Sequence, residues 1–305
     1  MSARLVFMGS PEFALPTLRL LAAGAYPVVG VITQPDRPAG RGRALSPPPV
    51  KNLALQLGLP VIQPERLKDP SAIAQLQDWA PDLIVVAAFG QILRPAVLDL
   101  PRWGCLNVHA SLLPRWRGAA PIQAAILHGD PQTGVTIMCM DSGVDTGPLL
   151  SQRATAIGED ENAGSLGARL AILGAELLLE TLPGYLRGEL QPEPQEDALA
   201  TYAPMLEKEA GRLDFNQPAG PLARRVRAFN PWPGSFTTWQ GQPLKILRAH
   251  AAHTTALPAG SRTTLDGLPA ISANPGLLVL DEVQPAGKRA MLGEVFLRGA
   301  RGWYD

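Results

Sequence analysis

Three polar residues alternate along an apolar stretch near the middle of the chain: Asn107, His109 and Ser111. Side chains two residues apart in a β-strand point to the same side, so a strand here would direct all three into one cavity. A second apolar stretch ends in a glycine-rich turn that carries Asp141 and Asp145. An amide donor, an imidazole and a carboxylate can polarise a carbonyl and manage a proton, so the pattern favours acyl-type transfer.

Two other chemistries fit these residues less well. A serine nucleophile is expected in a Gly-x-Ser-x-Gly turn, which the sequence lacks, and Ser111 instead opens a Leu-Leu-Pro turn. A metal site built on His109, Asp141 and Asp145 has no second histidine nearby. The first apolar stretch ends in Gly-Ser-Pro at residues 9–11, which disfavours a dinucleotide site. We therefore expect neither metal nor NAD, and interpret Ser111 as a binding or turn residue.

The alternation of apolar stretches with helical patterns predicts the fold of the first part of the chain. The apolar stretches are residues 4–9, 27–33, 82–90, 104–110 and 134–140. Such strands are typical of an α/β fold, in which a mostly parallel sheet is covered on both faces. Ligands of these sheets bind beyond the carboxyl ends of the strands. We expect His109 to meet Asp141 and Asp145 there.

The length of 305 residues exceeds that of one compact domain and indicates two. After a Pro- and Gly-rich connection, one helix at 219–229 precedes short β-like segments, which favour a small antiparallel barrel or sandwich. The predicted boundaries are 1–189 for a catalytic domain, 190–204 for a linker and 205–305 for a C-terminal domain.

The zero net charge hides an uneven distribution. Residues 1–204 carry 15 Lys and Arg against 19 Asp and Glu, whereas residues 205–305 carry 12 against 8. The basic C-terminal part indicates a polyanionic partner, although ordinary scatter of surface charge explains it equally well.

Two segments concentrate the basic side chains. The Pro- and Gly-rich loop 34–51 carries Arg37, Arg41, Arg43 and Lys51 against Asp36 alone. In the helix at 219–229, Arg224, Arg225 and Arg227 project away from the apolar face of Leu222, Val226 and Phe229. Each segment is either a solvated surface or a contact for phosphates.

The cysteines and the apolar stretches bear on cellular location. Cys105 and Cys139 lie in strand-like segments of a chain without an export signal, so we expect buried free thiols rather than a disulfide. No stretch reaches the roughly 18 apolar residues that a membrane span needs. We expect a cytoplasmic protein.

Longer motifs around these residues resemble a known family. The stretches LNVHASLLPRWRGAAPIQAAILHGD and MDSGVDTGPLL are similar to those of the formyltransferases that use 10-formyltetrahydrofolate. The loop TQPDRPAGRGR and the segment RAFNPWPGS narrow the resemblance to the members that act on methionyl-tRNA. The resemblance extends from LVFMGSPEFA to QPAGKRAMLGEVFLRG, nearly the whole chain.

The resemblance implies a Rossmann-like N-terminal domain and a C-terminal domain of OB type. It assigns catalysis to Asn107, His109 and Asp145, with Asp141 as a structural neighbour. Folate contacts fall on Ser111, Leu112, Leu113 and Pro114, together with Phe89 and Gly90. Contacts with tRNA fall on Arg37, Arg41, Arg43, Arg224, Arg225, Arg227 and Lys245, of which Arg41 is the key contact.

The implied reaction transfers a formyl group from 10-formyltetrahydrofolate, a co-substrate, to the α-amino group of methionyl initiator tRNA in translation initiation. The amine attacks directly, Asn107 and protonated His109 stabilise the oxyanion, and Asp145 assists proton transfer, directly or through water. Holding two large substrates in register supplies further acceleration. The family also implies a monomer without a membrane partner.

Three alternatives stay open at this point. A related transferase that formylates a small molecule would share the central motif without needing the basic loop. A related hydrolase would use water as the acceptor. A nucleic-acid-binding protein with a degenerate α/β domain would have no reason to keep Asn107, His109 and Asp145 together.

Overall fold

The computed structural model describes residues 2–39, 44–253 and 257–304, which form two compact units. The first unit comprises Met1–Gly118, Thr133–Thr155 and Gly167–Tyr202. The second comprises Ala119–Gln132, Ala156–Leu166 and Ala203–Asp305. The chain therefore passes between the two units more than once.

Strands and helices alternate up to residue 186, as the sequence predicts. The strands are β1 (Leu5–Gly9), β2 (Val28–Ile32), β3 (Arg37–Ala39), β4 (Ala44–Ser46), β5 (Val61–Ile62), β6 (Leu83–Ala87), β7 (Cys105–His109), β8 (Arg117–Gly118), β9 (Gln132–Cys139) and β10 (Leu149–Ala156). The helices are α1 (Leu15–Ala23), α2 (Pro49–Gln56), α3 (Pro70–Trp79), α4 (Pro95–Leu98), α5 (Pro121–His128) and α6 (Ala163–Leu186). A proline opens each of α2, α3, α4 and α5, because its fixed φ and missing N–H suit the first helical position.

The first unit is built on a seven-stranded sheet with the order β10-β9-β7-β6-β1-β2-β5. The pairs β1–β2, β1–β6, β2–β5 and β6–β7 are all parallel. These pairings confirm the predicted mostly parallel α/β sheet.

The chain direction of β9 corrects one part of the sequence argument. β9 runs antiparallel to β7, with Thr136 opposite His109 and Cys139 opposite Leu106. The carboxyl end of β9 therefore lies beside the amino half of β7, and the two strands do not end at the same edge. Asp145 reaches the β7 side chains because the turn after β9 folds back toward them.

The core of the sheet is apolar on both sides of the strands. Val6 and Met8 of β1 pack with Leu76 and Trp79 of α3 in one buried cluster. A Cβ at Gly30 of β2 would lie 2.4 Å from the Trp79 ring, so only glycine lets the helix approach this closely. Such packing provides a rigid base for the loops at the strand ends.

The second unit contains an antiparallel sheet, as predicted for the C-terminal part. The remaining elements are β11 (Tyr202–Ala203), α7 (Ala219–Ala228), β12 (Ser235–Trp239), β13 (Gln242–Ala252), β14 (Arg262–Leu265), β15 (Leu268–Ser272), β16 (Leu277–Pro285), β17 (Met291–Leu292) and α8 (Gly293–Gly299). The order is β12-β13-β16-β15-β14, with β17 paired to β16. Leu222 and Val226 of α7 lie in its core beside Ile246 and Leu280, which confirms the predicted apolar helix face. α5 also packs on α7 within this unit.

The sequence analysis made predictions about membrane spans and about the two cysteines. Within the described ranges, no helix has both the length and the apolar character that crossing a membrane requires. Cys105 and Cys139 are free thiols, as predicted, but Cys139 is only half-buried.

Candidate active site

The three predicted catalytic side chains meet in the first unit. Asn107 and His109 lie two residues apart on β7 and share one face of the sheet. The Asn107 amide Nδ2 donates to Asp145 Oδ1 at 3.3 Å, and His109 Nδ1 lies 3.6 Å from Asp145 Oδ2. The His109 side chain is 6% exposed and that of Asp145 16%, so the cluster is largely shielded from water.

The partners of His109 define how its ring is oriented. Its Nε2 lies 3.0 Å from the main-chain carbonyl oxygen of Trp116. A carbonyl oxygen only accepts, so Nε2 must carry a proton and donate it. The contact between Nδ1 and Asp145 is too long for a hydrogen bond but close enough for charge attraction. A ring protonated on both nitrogens satisfies both neighbours.

The Asp145 turn, residues 141–147, is held in a compact shape by its own side chains. Asp141 Oδ1 accepts hydrogen bonds from the Gly143 amide at 3.0 Å and the Thr146 hydroxyl at 2.7 Å. Asp141 is thus a turn-forming residue, as the resemblance implied. Asp145 itself has φ +53°, a left-handed conformation that disfavours any residue with a Cβ. A Cβ at Gly147 would overlap the Cys139 carbonyl oxygen, so glycine is required there.

Main-chain and side-chain donors outside the turn also hold Asp145. The Gly118 amide donates to Asp145 Oδ2 at 2.9 Å. Gln195 Nε2 donates to the carbonyl oxygens of Asp145 at 2.8 Å and Gly147 at 2.7 Å. Sequence reasoning missed Gln195 because it lies in the segment predicted to be a linker, where one glutamine gives no signal.

The predicted folate segments follow two neighbouring strands. β6 and β7 are parallel, with Val86 opposite Asn107, so residues 89–90 and 111–114 lie at the same edge of the sheet. Gly90 is exposed with φ +80°, and the nearest atom to a Cβ there would be Gln34 Nε2 at 3.6 Å. The main chain at Gly90 can therefore be approached closely by a flat ligand. Phe89 is buried, and its carbonyl accepts the Gln34 amide at 3.1 Å.

The Ser-Leu-Leu-Pro segment is rigid and mostly internal. The buried Ser111 hydroxyl donates to the Arg115 carbonyl at 2.6 Å, which favours its turn role. The main-chain amide of Leu113 donates to Thr136 Oγ1, and the Leu113 carbonyl oxygen accepts from Gln152 Nε2 at 2.8 Å. Leu112 and Pro114 are half-buried and offer apolar surface.

The segment 34–51, predicted to be a Pro- and Gly-rich loop, contains two short strands among its described residues. β3 and β4 form a short antiparallel ribbon with Arg37 opposite Ser46. Arg37 is exposed, and its Nη2 donates to Gln34 Oε1 at 3.3 Å. Arg41 and Arg43 lie outside the described residues.

The base of this ribbon is tied by a polar cluster. Lys51 Nζ lies 2.7 Å from Asp36 Oδ2, and Gln63 Nε2 donates to Asp36 Oδ1 at 2.7 Å. The Lys51 hydrogen bond, followed by that of Gln63, holds the pKa of Asp36 below its usual value. Lys51 therefore neutralises Asp36, and the loop's basic character depends on its arginines.

The helix arginines of the second unit bind main-chain carbonyls. Arg224 Nε donates to Leu127 at 3.2 Å, Arg225 donates to Ala210 at 2.9 Å and 3.1 Å, and Arg227 Nη1 donates to Glu161 at 2.9 Å. Burial lowers the pKa of Arg227. The sequence did not predict this bracing of neighbouring segments. Lys245, by contrast, is exposed on β13.

Sequence comparisons identify relatives over the whole chain. The profile described as formyl transferase matches residues 3–182, and that of the formyl transferase C-terminal domain matches residues 205–301. Methionyl-tRNA formyltransferase of Roseiflexus castenholzii is 50% identical over 305 residues, covering 99% of this chain and 97% of that protein. The protein of the same name from Myxococcus xanthus is 51% identical, covering 97% and 95%.

Solved structures share the fold at lower identity. A sugar 3N-formyltransferase solved with dTDP and 5-N-formyl-THF gives a TM-score of 0.68 at 16% identity, covering 95% of this chain and all of that one. HypX from Aquifex aeolicus in complex with tetrahydrofolic acid gives 0.63 at 18% identity; the match covers 98% of this chain and 47% of HypX. The profiles and the full-length relatives lead to one assignment: this chain belongs to the formyl transferase family and, within it, to the methionyl-tRNA formyltransferases.

Proposed function

We propose that this protein transfers the formyl group of 10-formyltetrahydrofolate to the α-amino group of methionyl initiator tRNA in translation initiation. The observation that carries this proposal is the meeting of Asn107, His109 and Asp145 within 3.6 Å. These three residues belong to a chain that is about 50% identical in sequence, over nearly its full length, to enzymes named for this reaction.

The acceptor amine needs little activation. Model α-amino groups have pKa values of about 7.7–8.0, and an ester on the same carbon withdraws electrons and lowers that value further. Much of the methionyl amine is therefore neutral near pH 7.5 and nucleophilic. The enzyme's work is to orient the amine and to stabilise the negative charge that develops on the formyl oxygen.

Asn107 and His109 are the proposed donors to that oxygen. An asparagine amide has two N–H groups, of which one is engaged by Asp145 and the other can bind the oxyanion. His109 Nδ1–H, 3.6 Å from the carboxylate, can turn to the same oxygen while Nε2–H stays on the Trp116 carbonyl. The imidazolium charge adds to the stabilisation in a shielded site.

Asp145 has two proposed roles. Its carboxylate lies 3.6 Å from His109 Nδ1 and can compensate the positive charge of the ring when both ring nitrogens carry a proton. It also accepts the proton that the amine loses, directly or through water, and can return that proton to the folate nitrogen as the bond between this nitrogen and the formyl carbon breaks and tetrahydrofolate leaves. Because its oxygens receive the Asn107 and Gly118 N–H groups, the carboxylate is oriented before substrate arrives.

The folate co-substrate supplies the formyl group when bound. The exposed main chain at Gly90 and the apolar surface of Leu112 and Pro114 suit a flat heterocycle with polar edges, and all lie at the site's edge of the sheet. We propose that residues 89–90 and 111–114 hold it. Ser111 contributes by shaping the turn.

For tRNA, we propose contacts from Arg37, Arg41, Arg43 and Lys245. Arg224, Arg225 and Arg227, included in the sequence-based set, are better assigned to holding the second unit together, since phosphate binding would compete with their carbonyl bonds. We further propose a catalytic domain at 1–189, a linker at 190–204, a tRNA-binding domain of OB type at 205–305, and a cytoplasmic monomer without a membrane partner.

A direct assay tests the proposed reaction. The protein is incubated with 10-formyltetrahydrofolate and one acceptor at a time: charged initiator tRNA, glycinamide ribonucleotide or a nucleotide-linked amino sugar. We expect formylation of the charged tRNA alone. Formylation of a small acceptor without the tRNA product, or formate release without acceptor, would replace the proposal by one of the alternatives.

A further inference from the structure

We propose that Gln195 and Arg117 are positioning residues that hold Asp145 in its catalytic geometry; this inference rests on the role proposed above for Asp145. The two side chains close a ring of hydrogen bonds that begins at the Asp145 carboxylate and returns to the Asp145 carbonyl.

Gln195 uses its whole amide group in this ring. Its Nε2 donates to the carbonyl oxygens of Asp145 and Gly147, and its Oε1 accepts from Arg117 Nε at 3.0 Å and Nη2 at 2.8 Å. A primary amide offers two N–H donors and one acceptor oxygen. The side chain therefore has one orientation and links the Asp145 turn to Arg117.

Arg117 connects Gln195 to the contacts of His109 and of the Asp145 carboxylate. Its side chain is 2% exposed, and a buried guanidinium is stable only when its donors are satisfied, as Gln195 and Asp197 do here. Its main-chain neighbours contact the site directly: the Trp116 carbonyl accepts from His109 Nε2, and the Gly118 amide donates to Asp145 Oδ2. Fixing the Arg117 side chain thus fixes both contacts.

The Asp145 conformation explains why such support is needed. Its φ of +53° is one that residues with a side chain rarely adopt. The Gln195 bond holds the main chain in that conformation while the Gly118 amide orients the carboxylate. Loss of the first bond would let the turn relax and carry the carboxylate away from His109.

The segment that carries Gln195 is itself anchored in the first unit. The Leu149 amide donates to the Glu193 carbonyl at 2.7 Å, and the Glu193 amide donates back to the Leu149 carbonyl at 2.8 Å. Part of the predicted linker, residues 193–197, therefore belongs to the scaffold of the candidate active site.

The substitution Gln195→Glu removes the hydrogen bonds that Gln195 donates to the turn and keeps the oxygen that accepts from Arg117. A glutamate keeps the oxygen that Arg117 binds but replaces the donor by an oxygen that repels the Asp145 and Gly147 carbonyls. We expect kcat to fall about 10- to 100-fold, as for a small misplacement of a catalytic group, with KM for both substrates unchanged. The matched control is Gln191→Glu: Gln191 is exposed in the same segment, bonds only the Gly188 carbonyl among the described residues, and should keep its wild-type kcat.

A double-mutant cycle distinguishes positioning from general support. If Gln195 acts through the Asp145 carboxylate, Gln195→Glu should lower kcat in the wild-type background and cause no further loss in Asp145→Asn. Equal losses in both backgrounds, or an unchanged kcat in Gln195→Glu alone, would overturn the proposal. Wild-type activity of Asp145→Asn would instead remove the catalytic role of Asp145, a different failure, and the positioning role with it.

Folding is checked in every variant. Thermal unfolding and the affinity for tetrahydrofolate, measured by fluorescence titration, should match the wild type in Gln191→Glu and stay close to it in Gln195→Glu. If Gln195→Glu does not fold, Gln195→Met takes its place in the same cycle; methionine is similar in size and removes both the donor and the oxygen that Arg117 binds, so it tests the whole link, with the same loss of kcat expected only when the Asp145 carboxylate is present.

Discussion

The Asp145 turn and the ribbon formed by β3 and β4 both belong to the first unit, yet their described residues are held very differently. In the turn, Asp145 accepts hydrogen bonds from Asn107, Gly118 and Gln195. The guanidinium of Arg117, which binds Gln195, is 2% exposed. The described part of the ribbon is tied at its base, where the side chains of Lys51 and Asp36 are 24% and 30% exposed.

The difference matches the physical demands of the two tasks. Stabilising a developing charge needs donors placed to within a fraction of an ångström before the reaction begins. The attraction between arginine side chains and a polyanion, the task proposed for the loop, extends over a Debye length of about 8 Å and so tolerates less exact placement.

Removal of a donor beside the Asp145 turn should lower kcat strongly. Asn107→Ala should lower kcat by about 10²- to 10³-fold, the range found when one oxyanion donor is lost, without weakening tRNA binding. Steady-state kinetics and tRNA titration measure the two quantities. Asn216→Ala, at an asparagine that bonds Asp214 in the second unit, is the control. Normal turnover of Asn107→Ala would remove this residue from the mechanism.

Loosening the base of the ribbon should act on binding instead. Asp36→Asn removes the carboxylate that neutralises Lys51 and so adds one net positive charge to the basic loop; the KM for charged tRNA should therefore fall several-fold while kcat at saturation stays unchanged. Asp78→Asn, at an exposed aspartate on α3, controls for loss of one negative charge. A fall in kcat with KM preserved would show that the ribbon takes part in the chemistry.

The same carboxylate makes a pH-dependent contribution to stability. Lys51 lowers the pKa of Asp36 in the folded protein, so the stabilisation is present above the unfolded-state pKa and is lost as pH falls through the folded-state pKa. The wild type should therefore exceed Asp36→Asn in free energy of unfolding at neutral pH and lose that advantage in acid. Urea unfolding at several pH values measures it; a difference independent of pH would contradict the assignment.

Substitution of Arg225 and of Arg37 should distinguish an arginine that stabilises the fold from one that binds phosphate. Arg225→Ala deletes the bonds to the Ala210 carbonyl and should lower the free energy of unfolding by about 1–2 kcal/mol, with the salt dependence of tRNA binding unchanged. Arg37→Ala should leave stability unchanged and reduce the salt slope by about 1. If Arg225→Ala reduces the slope, the helix contacts tRNA after all.

The smallest expected effect is on the chemical reactivity of the buried Cys105 thiol, at the start of β7. Burial raises the pKa of Cys105 to about 12, so hardly any thiolate forms near pH 8 and thiol reagents should modify it only on unfolding. Labelling time courses followed by mass spectrometry should show Cys139, which is less buried, reacting first. Rapid labelling of Cys105 in the native protein would show that the sheet under the site opens readily.

Local patterns in the sequence predicted most of the fold. The alternation of apolar stretches with helical patterns indicated the strands and helices, because this signal arises within a few residues. The spacing of Asn107 and His109 placed them on one face for the same reason. The apolar stretch and its glycine-rich turn pointed to both Asp141 and Asp145, and the motif resemblance chose Asp145 between them.

Contacts between distant segments were beyond sequence reasoning. The antiparallel direction of β9 depends on its pairing with β7, and an apolar stretch alone does not encode direction. Gln195 bonds a turn some 50 residues away, and Arg224, Arg225 and Arg227 bind main-chain carbonyls that have no signature in the sequence. Charge counts did not reveal that Lys51 pairs with Asp36, which leaves the net positive charge of the loop on its arginines.

The single-turnover rate of formylation by Asp145→Asn, at saturating 10-formyltetrahydrofolate and charged initiator tRNA, tests the central claim most directly. If the carboxylate sustains the His109 charge and receives the amine proton, the rate should fall by about 10²- to 10⁴-fold, the usual contribution of such a group, while both substrates still bind. A rate equal to that of the wild type would show that the Asn107, His109 and Asp145 cluster is not the catalytic centre.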